Sequence, residues 1–287
     1  MSFKIFTDSG ASLSKEQAEK HDITIMSMGY VINGEEFVGQ DETEEFIKTV
    51  YKKMKEKETV STNAVNSADL SDAFEKVLGS GEDILYIAFA STLSSSFENA
   101  SNTAEEVNKK YKERKVVVID SCCAAMGQGM IVIEAAKQKA SGKTIDAVAK
   151  WVDENKMKAV HLFTVDNLAY LYRGGRLKKS TAIIGSMLHI KPLMHFDTLC
   201  KLTPYGKALG RNLALKAIAN MVQKKIVNPE EQTIYISHAE SINDALTLQK
   251  AISEKITVED FEINDMGLVI GAHAGPGTLA VFFFGNR

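Results

Sequence analysis

The sequence predicts an α/β protein of two domains, a first half built on a parallel sheet (residues 1–157) and a second half of α+β type (158–287). Three observations carry this. Asp83–Phe89 (DILYIAF) and Lys115–Asp120 (KVVVID) are nearly continuous apolar runs, the pattern of strands covered on both faces. In the first half, strand and helix signals alternate, which calls for a parallel sheet between helix layers. In the second half, neighbouring strand signals are separated by short turns, which calls for antiparallel pairing.

The elements follow in order. Lys4–Thr7 reads as a strand broken by Asp8-Ser9-Gly10, and Ser12 is positioned to cap a helix from Leu13 to His21. Ile23 to Phe37 reads as two strands around Asn33-Gly34, a strong hairpin turn. Glu42 to Lys57 carries Phe46, Val50 and Met54 at helical spacing, and Ser67 to Leu78 is a further helix. After the buried strand at 83–89 come a Ser-rich loop and a charged helix from Phe97 to Glu113. Helices at Met126–Ala140 and Ile145–Glu154 complete the Rossmann-like half. Beyond it lie a strand at Val160–Val165, a short helix at Leu168–Tyr172 and a helix at Thr181–Leu188. Ile190–Phe196 and Leu199–Leu202 form a hairpin around Asp197-Thr198, and Leu209–Ile226 is a long helix. Thr233–Ser237 is a strand and Ile242–Ile252 a helix. The chain ends in two strands, with Gly271-Ala272-His273-Ala274-Gly275-Pro276-Gly277 interrupting apolar surroundings.

Composition narrows the functional classes. In 287 residues, 45% hydrophobic and 25% charged, there is apolar mass for one or two cores. A net charge of -3 gives no electrostatic case for nucleic acid or an anionic membrane. No run of about 18 apolar residues occurs, so no transmembrane helix is expected. Met1–Phe6 lacks the basic and apolar regions of a signal peptide. Cys122, Cys123 and Cys200 are odd in number, two of them adjacent, which argues against a disulfide framework and for a reducing cytoplasm.

Four polar interruptions draw notice: Asp8-Ser9, Thr59–Asn63, Ser91–Ser96 and the segment around His273. In an open parallel sheet, ligands bind outside the carboxyl ends of the strands. Serines entering a helix N-terminus offer hydroxyls and backbone N–H groups to a carboxylate or phosphate, although Ser94 or Ser95 would equally serve as a cap. Glycines flanking His273 permit close backbone approach, while a lone histidine near a strand is as readily a satisfied core residue. Asp8-Ser9 reads as a turn, and Arg173-Gly174-Gly175-Arg176 reads as either an anion binder or a helix end. A hydrolase elbow is absent, Gly142-Lys143-Thr144 lacks the rest of a phosphate-binding loop, and no metal-ligand spacing occurs, so no metal is expected.

Several segments, in order, are similar to the DegV family of bacterial fatty-acid-binding proteins. They are Thr7-Asp8-Ser9, Ser61-Thr62, Ser91-Thr92-Leu93-Ser94-Ser95-Ser96, Met126-Gly127-Gln128-Gly129, Leu168–Leu171 with Arg173–Arg176, Ile190-Lys191-Pro192 and Val269–Gly277. The resemblance implies a two-domain, DegV-like protein that holds one long-chain fatty acid of C14–C18, such as palmitate, stearate or oleate, and no other cofactor. It implies that Thr62, Ser94 and His273 contact the carboxylate, with the N–H of Ser95 as a further donor. It also implies a cytoplasmic partner, the ATP-binding subunit of a fatty acid kinase, which phosphorylates the carboxylate on the way to phospholipid synthesis. Transient contact with a membrane or an acyltransferase would follow. In this picture the chain is a lipid carrier with no catalytic residue of its own. The alternative is a stand-alone phosphoryl- or acyl-transfer enzyme using His273 and Ser94. Where the family commonly has glycine after the first loop serine, this chain has Ser95. Candidate tunnel walls, from pattern alone, are Met126, Ile183, Met187, Leu188 and Ile190; Lys201, Lys207 and Arg211 lie in the region of the partner surface.

Overall fold

The computed structural model describes residues 2–38, 43–177 and 189–287. Contacts divide the chain into two compact units. The first comprises Met1–Tyr30, Glu36–Gln40 and Thr62–Met157; the second comprises Val31–Glu35, Asp41–Ser61 and Lys158–Arg287.

The first unit is built on β1 (Phe3–Asp8), β2 (Ile23–Met26), β6 (Asp83–Ala88) and β7 (Val116–Asp120), in the order β2-β1-β6-β7 with every pairing parallel. All six residues of β6 are buried, so side chains pointing to both faces are covered. The cover comes from α3 (Ser67–Gly79) packed on α4 (Ser96–Lys110), and from α5 (Met126–Ala140) packed on α6 (Ile145–Asn155). A short helix, α1 (Lys15–Lys20), packs beside β2. It starts later than the pattern suggested. Ser14 rather than Ser12 is its cap: the Ser14 hydroxyl accepts the Gln17 N–H at 3.1 Å, and the Gln17 side chain accepts the Ser14 N–H at 2.8 Å. Ser12 stands in the left-handed region, with φ 53°.

Three short strands, β3 (Gly29–Ile32), β4 (Glu35–Val38) and β5 (Val60–Thr62), form a separate sheet in the order β4-β3-β5. The Asn33-Gly34 turn joins β3 to β4 as expected, both residues at positive φ. What the sequence presented as one strand before that turn is two, since β2 leaves for the parallel sheet. The polar interruption at Thr59–Asn63 contributes β5.

The second unit centres on β8 (Ala159–Thr164), β9 (Ile190–Phe196), β10 (Leu202–Leu209), β11 (Thr233–His238), β12 (Asp260–Asp265) and β13 (Leu279–Phe284). Their order is β10-β9-β8-β13-β11-β12, antiparallel throughout except for β11 with β12. Two helices, α8 (Arg211–Lys225) and α9 (Ile242–Ser253), bury Leu215, Ile218, Val222 and Leu248 in one core with Leu162, Leu193 and Val281 of the sheet. The remaining helices are α2 (Glu44–Lys55), α7 (Ala169–Arg173) and α10 (Leu268–Ala274), with α10 packed on both others. The helix expected at Thr181–Leu188 lies outside the described residues. The tail segment around His273 corrects a further expectation: it is helical, not a strand interrupted. A continuous apolar run such as Leu268–Ala274 has no period to separate a buried helix from a buried strand.

Asp8 ties the first unit together at the carboxyl end of β1. It is fully buried. One carboxylate oxygen accepts the Phe89 N–H at 2.8 Å, the other the Gly10 N–H at 3.1 Å. The Gln128 amide of α5 donates to Asp8 at 3.2 Å, to the Thr7 hydroxyl at 2.9 Å and to the Ile87 carbonyl at 3.2 Å. Burial pushes the Asp8 carboxyl up to about 6, against the lowering effect of Phe89, Gln128 and Gly10. A carboxyl that keeps its proton longer when folded than when unfolded stabilises the fold at low pH, and that stability is lost as pH rises from about 4 through about 6. The loss is on the order of 3 kcal/mol. The difference in unfolding free energy between the natural chain and Asp8→Asn, measured by denaturant titration at a series of pH values, is therefore expected to decline over that interval. A difference that is flat, or that grows with pH, contradicts the assignment.

Candidate functional site: the start of α4 and the histidine helix

The Ser-rich loop leaves β6 and turns tightly, with the N–H groups of Leu93 and Ser94 both donating to the Ala90 carbonyl at 2.9 and 3.2 Å. The helix α4 then begins at Ser96. Its N-cap residue, Ser95, is exposed and makes no side-chain capping bond. Capping falls instead to Ser94, whose hydroxyl accepts the Ser96 N–H at 3.2 Å and lies 3.0 Å from the Ser96 hydroxyl. The N–H of Ser95 donates to none of the described residues. Open N–H groups at the start of a 15-residue helix carry the positive end of its dipole.

A second loop is fastened to this helix start. The Ser96 hydroxyl accepts the Val65 N–H at 3.2 Å, and the Asn99 side chain donates to the Val65 carbonyl at 2.9 Å. Val65 follows Thr62, the last residue of β5, by three positions. The clamp thus holds the segment after Thr62 against the helix that starts next to Ser94. Thr62 and Ser94 are both partly exposed, whereas Ser96 is fully buried. Sequence reasoning missed Ser96 and Asn99 as fasteners. Their only signal was a serine in the first turn with a side-chain amide three residues on, a pattern common to many helices.

His273 sits in the last turn of α10, in the second unit. Gly174, which ends α7, has no Cβ to collide with the imidazole: one built there would lie 2.2 Å from His273 Nδ1. The Arg173–Arg176 segment, read from sequence as either a helix end or an anion binder, is at least the former. Gly174 caps α7, Arg176 donates to the Gly174 carbonyl, and Arg173 lies over the Tyr170 ring at 4.8 Å. The glycines flanking His273 have separate duties. A Cβ on Gly271 would fall 2.0 Å from the Tyr51 hydroxyl, which donates to the Met266 carbonyl at 2.7 Å. Gly275, at φ +83°, admits the Tyr170 ring where a Cβ would stand 2.3 Å away. Burial pushes the His273 imidazole down to about 4, and the Arg176 charge pushes the same way. At neutral pH the ring is uncharged, with one nitrogen donating and the other accepting.

Thr62, Ser94, Ser95 and Met126 belong to the first unit, and Ile190 and His273 to the second. Met126 opens α5 fully buried, and Ile190 opens β9 partly exposed. Ile183, Met187 and Leu188 lie outside the described residues. Among the described residues no helix is long and apolar enough to cross a membrane.

Comparison with known proteins places this architecture. The DegV family model matches residues 2–286. A DegV domain-containing protein of Clostridium perfringens is 42% identical over 284 residues, covering 99% of this chain and 98% of its own. A DegV lipid-binding protein from Thermotoga maritima shares the fold with a TM-score of 0.85 at 27% identity over 98% of both chains. DegV of Bacillus subtilis, described as a fatty-acid-binding protein, does so with a TM-score of 0.84, also at 27% identity over 98% of both. This chain belongs to the DegV family.

Proposed function

We propose that this protein binds one long-chain fatty acid, holding its carboxylate with the hydroxyls of Thr62 and Ser94, the N–H of Ser95 and the imidazole of His273, and its tail in an apolar channel that includes Met126 and Ile190. A carboxylate leaves water only where donors replace its hydration. The observation that carries the reading is the start of α4, where the Ser94 hydroxyl is partly exposed and the Ser95 N–H has no partner among the described residues. Hydrogen bonds to a charged group contribute about 1.5–3 kcal/mol each. A neutral His273 adds an N–H donor without a full positive charge, so the head group remains exchangeable. At about 0.8 kcal/mol per buried methylene, a C16 tail contributes roughly 11 kcal/mol before ordering costs.

In this role the chain is a carrier working in the cytoplasm. A separate ATP-binding subunit, as the family resemblance implies, makes the acyl phosphate. The lipid- and fatty-acid-binding descriptions of the Thermotoga and Bacillus relatives support the ligand class.

Mass spectrometry of gently purified protein is expected to find a co-purifying C14–C18 acid; a clean protein without affinity for such acids contradicts the reading. Ser94→Ala and His273→Ala are each expected to weaken palmitate binding by about 1–3 kcal/mol in titration calorimetry, and two neutral variants would put the head group elsewhere. Incubated alone with ATP and palmitate, the protein is expected to yield no acyl phosphate; turnover without a partner would make it an enzyme.

A further inference from the structure

The hydroxyl of Ser96 has its acceptor and donor roles dictated by burial. It accepts the Val65 N–H at 3.2 Å, and among the described residues its one other hydrogen-bond neighbour through the side chain is the Ser94 hydroxyl at 3.0 Å. Either of the two hydroxyls is geometrically able to donate to the other. If Ser94 donated, the Ser96 proton would be sealed in a fully buried side chain with no acceptor, a loss of about 1–3 kcal/mol. If Ser96 donates, its buried hydroxyl is satisfied, and the one proton left over belongs to Ser94, which is partly exposed. The second arrangement wins. Ser94 also accepts the Ser96 N–H at 3.2 Å. Its two lone pairs are then both occupied, one by the Ser96 N–H and one by the Ser96 hydroxyl proton.

We propose that Ser96 is a specificity-determining residue: through the relay Val65 N–H to Ser96 O–H to Ser94 O–H it makes Ser94 an obligate donor, so that the site selects a head group that only accepts, an ionised carboxylate, over one that must also donate, such as a fatty alcohol. The inference rests on the fatty-acid reading above and adds the reason for its head-group choice. At Ser94 an alcohol finds a donor but no acceptor, so its own proton must go to another group of the site, whereas a carboxylate has no proton to place. Each donor in the relay also polarises the next, strengthening the final bond to an anion.

The test is a ratio, which a merely structural role would not move. Affinities for palmitate and hexadecan-1-ol are measured by competition against a fluorescent long-chain acid, for the natural chain, Ser96→Ala and Ser96→Thr. Ser96→Ala removes the proton that occupies one lone pair of Ser94 and leaves that lone pair open to the proton of an alcohol. The palmitate-over-hexadecanol preference is expected to fall by about tenfold, mainly by gain on hexadecanol. Ser96→Thr keeps the hydroxyl and is expected to restore the preference to within about twofold. Equal weakening of both ligands by Ser96→Ala, or an unchanged ratio, overturns the proposal. Should Ser96→Ala fail to fold, Ser94→Ala answers the same question. Loss of a pure donor costs palmitate about tenfold and hexadecanol less than about threefold, whereas equal losses would show that Ser94 also accepts. A natural chain that binds neither ligand removes the fatty-acid reading and this inference with it; binding without the change in ratio removes the inference alone.

Discussion

The bond from the Val65 N–H to the buried Ser96 hydroxyl joins positions 31 residues apart and fixes the corner on which the rest depends. Without it the segment after Thr62 has one side-chain fastening fewer to α4, and Ser94 loses the neighbour that sets its polarity. The corner is supported from beneath by Asp8, whose carboxylate takes the Phe89 N–H at the point where β6 gives way to the Ser-rich loop. A buried carboxyl is an expensive anchor, as its raised pKa records. Gln128 offsets part of that cost by donating to it while also holding Thr7 and the Ile87 carbonyl. The loop is therefore preorganised by three elements of one unit before any ligand arrives. That lowers the ordering cost of binding.

The second unit solves a different problem, the placement of an imidazole in a crowded setting without charging it. Small residues make the room: Gly174 receives the ring, Gly271 receives Tyr51 and Gly275 receives Tyr170. A histidine so enclosed is kept neutral by desolvation, with Arg176 reinforcing the effect. In the proposed site that neutrality matters. Dipoles and hydroxyls facing an anion stabilise it without the strong attraction of a full charge, which suits a carrier that must release its cargo.

Much of this was legible in the residues. Asp83–Phe89 announced a buried strand because an apolar run with no alternation leaves little else for a short segment to be; Lys115–Asp120 is a strand too, but at the edge of its sheet it is only partly buried. Ser94 and His273 stood out as polar groups in apolar surroundings, and the family resemblance is what proposes a head-group role for both. The misreadings have physical causes. Ser12 and Ser14 are both plausible caps, and what separates them is the Gln17 side chain folding back on Ser14. The tail segment lacks a period, so its helix was hidden. Ser96 and Asn99 were invisible for another reason: their work is done on Val65, and a contact across more than 30 residues leaves no mark in local spacing.

The most direct measurement is a crystal structure of protein purified without added lipid. The expected result is an unbranched tube of electron density that ends in a forked head within hydrogen-bond distance of the Ser94 hydroxyl and the Ser95 N–H. Side chains packed solidly around that position, or a tube whose polar end lies away from the start of α4, would contradict the proposed role.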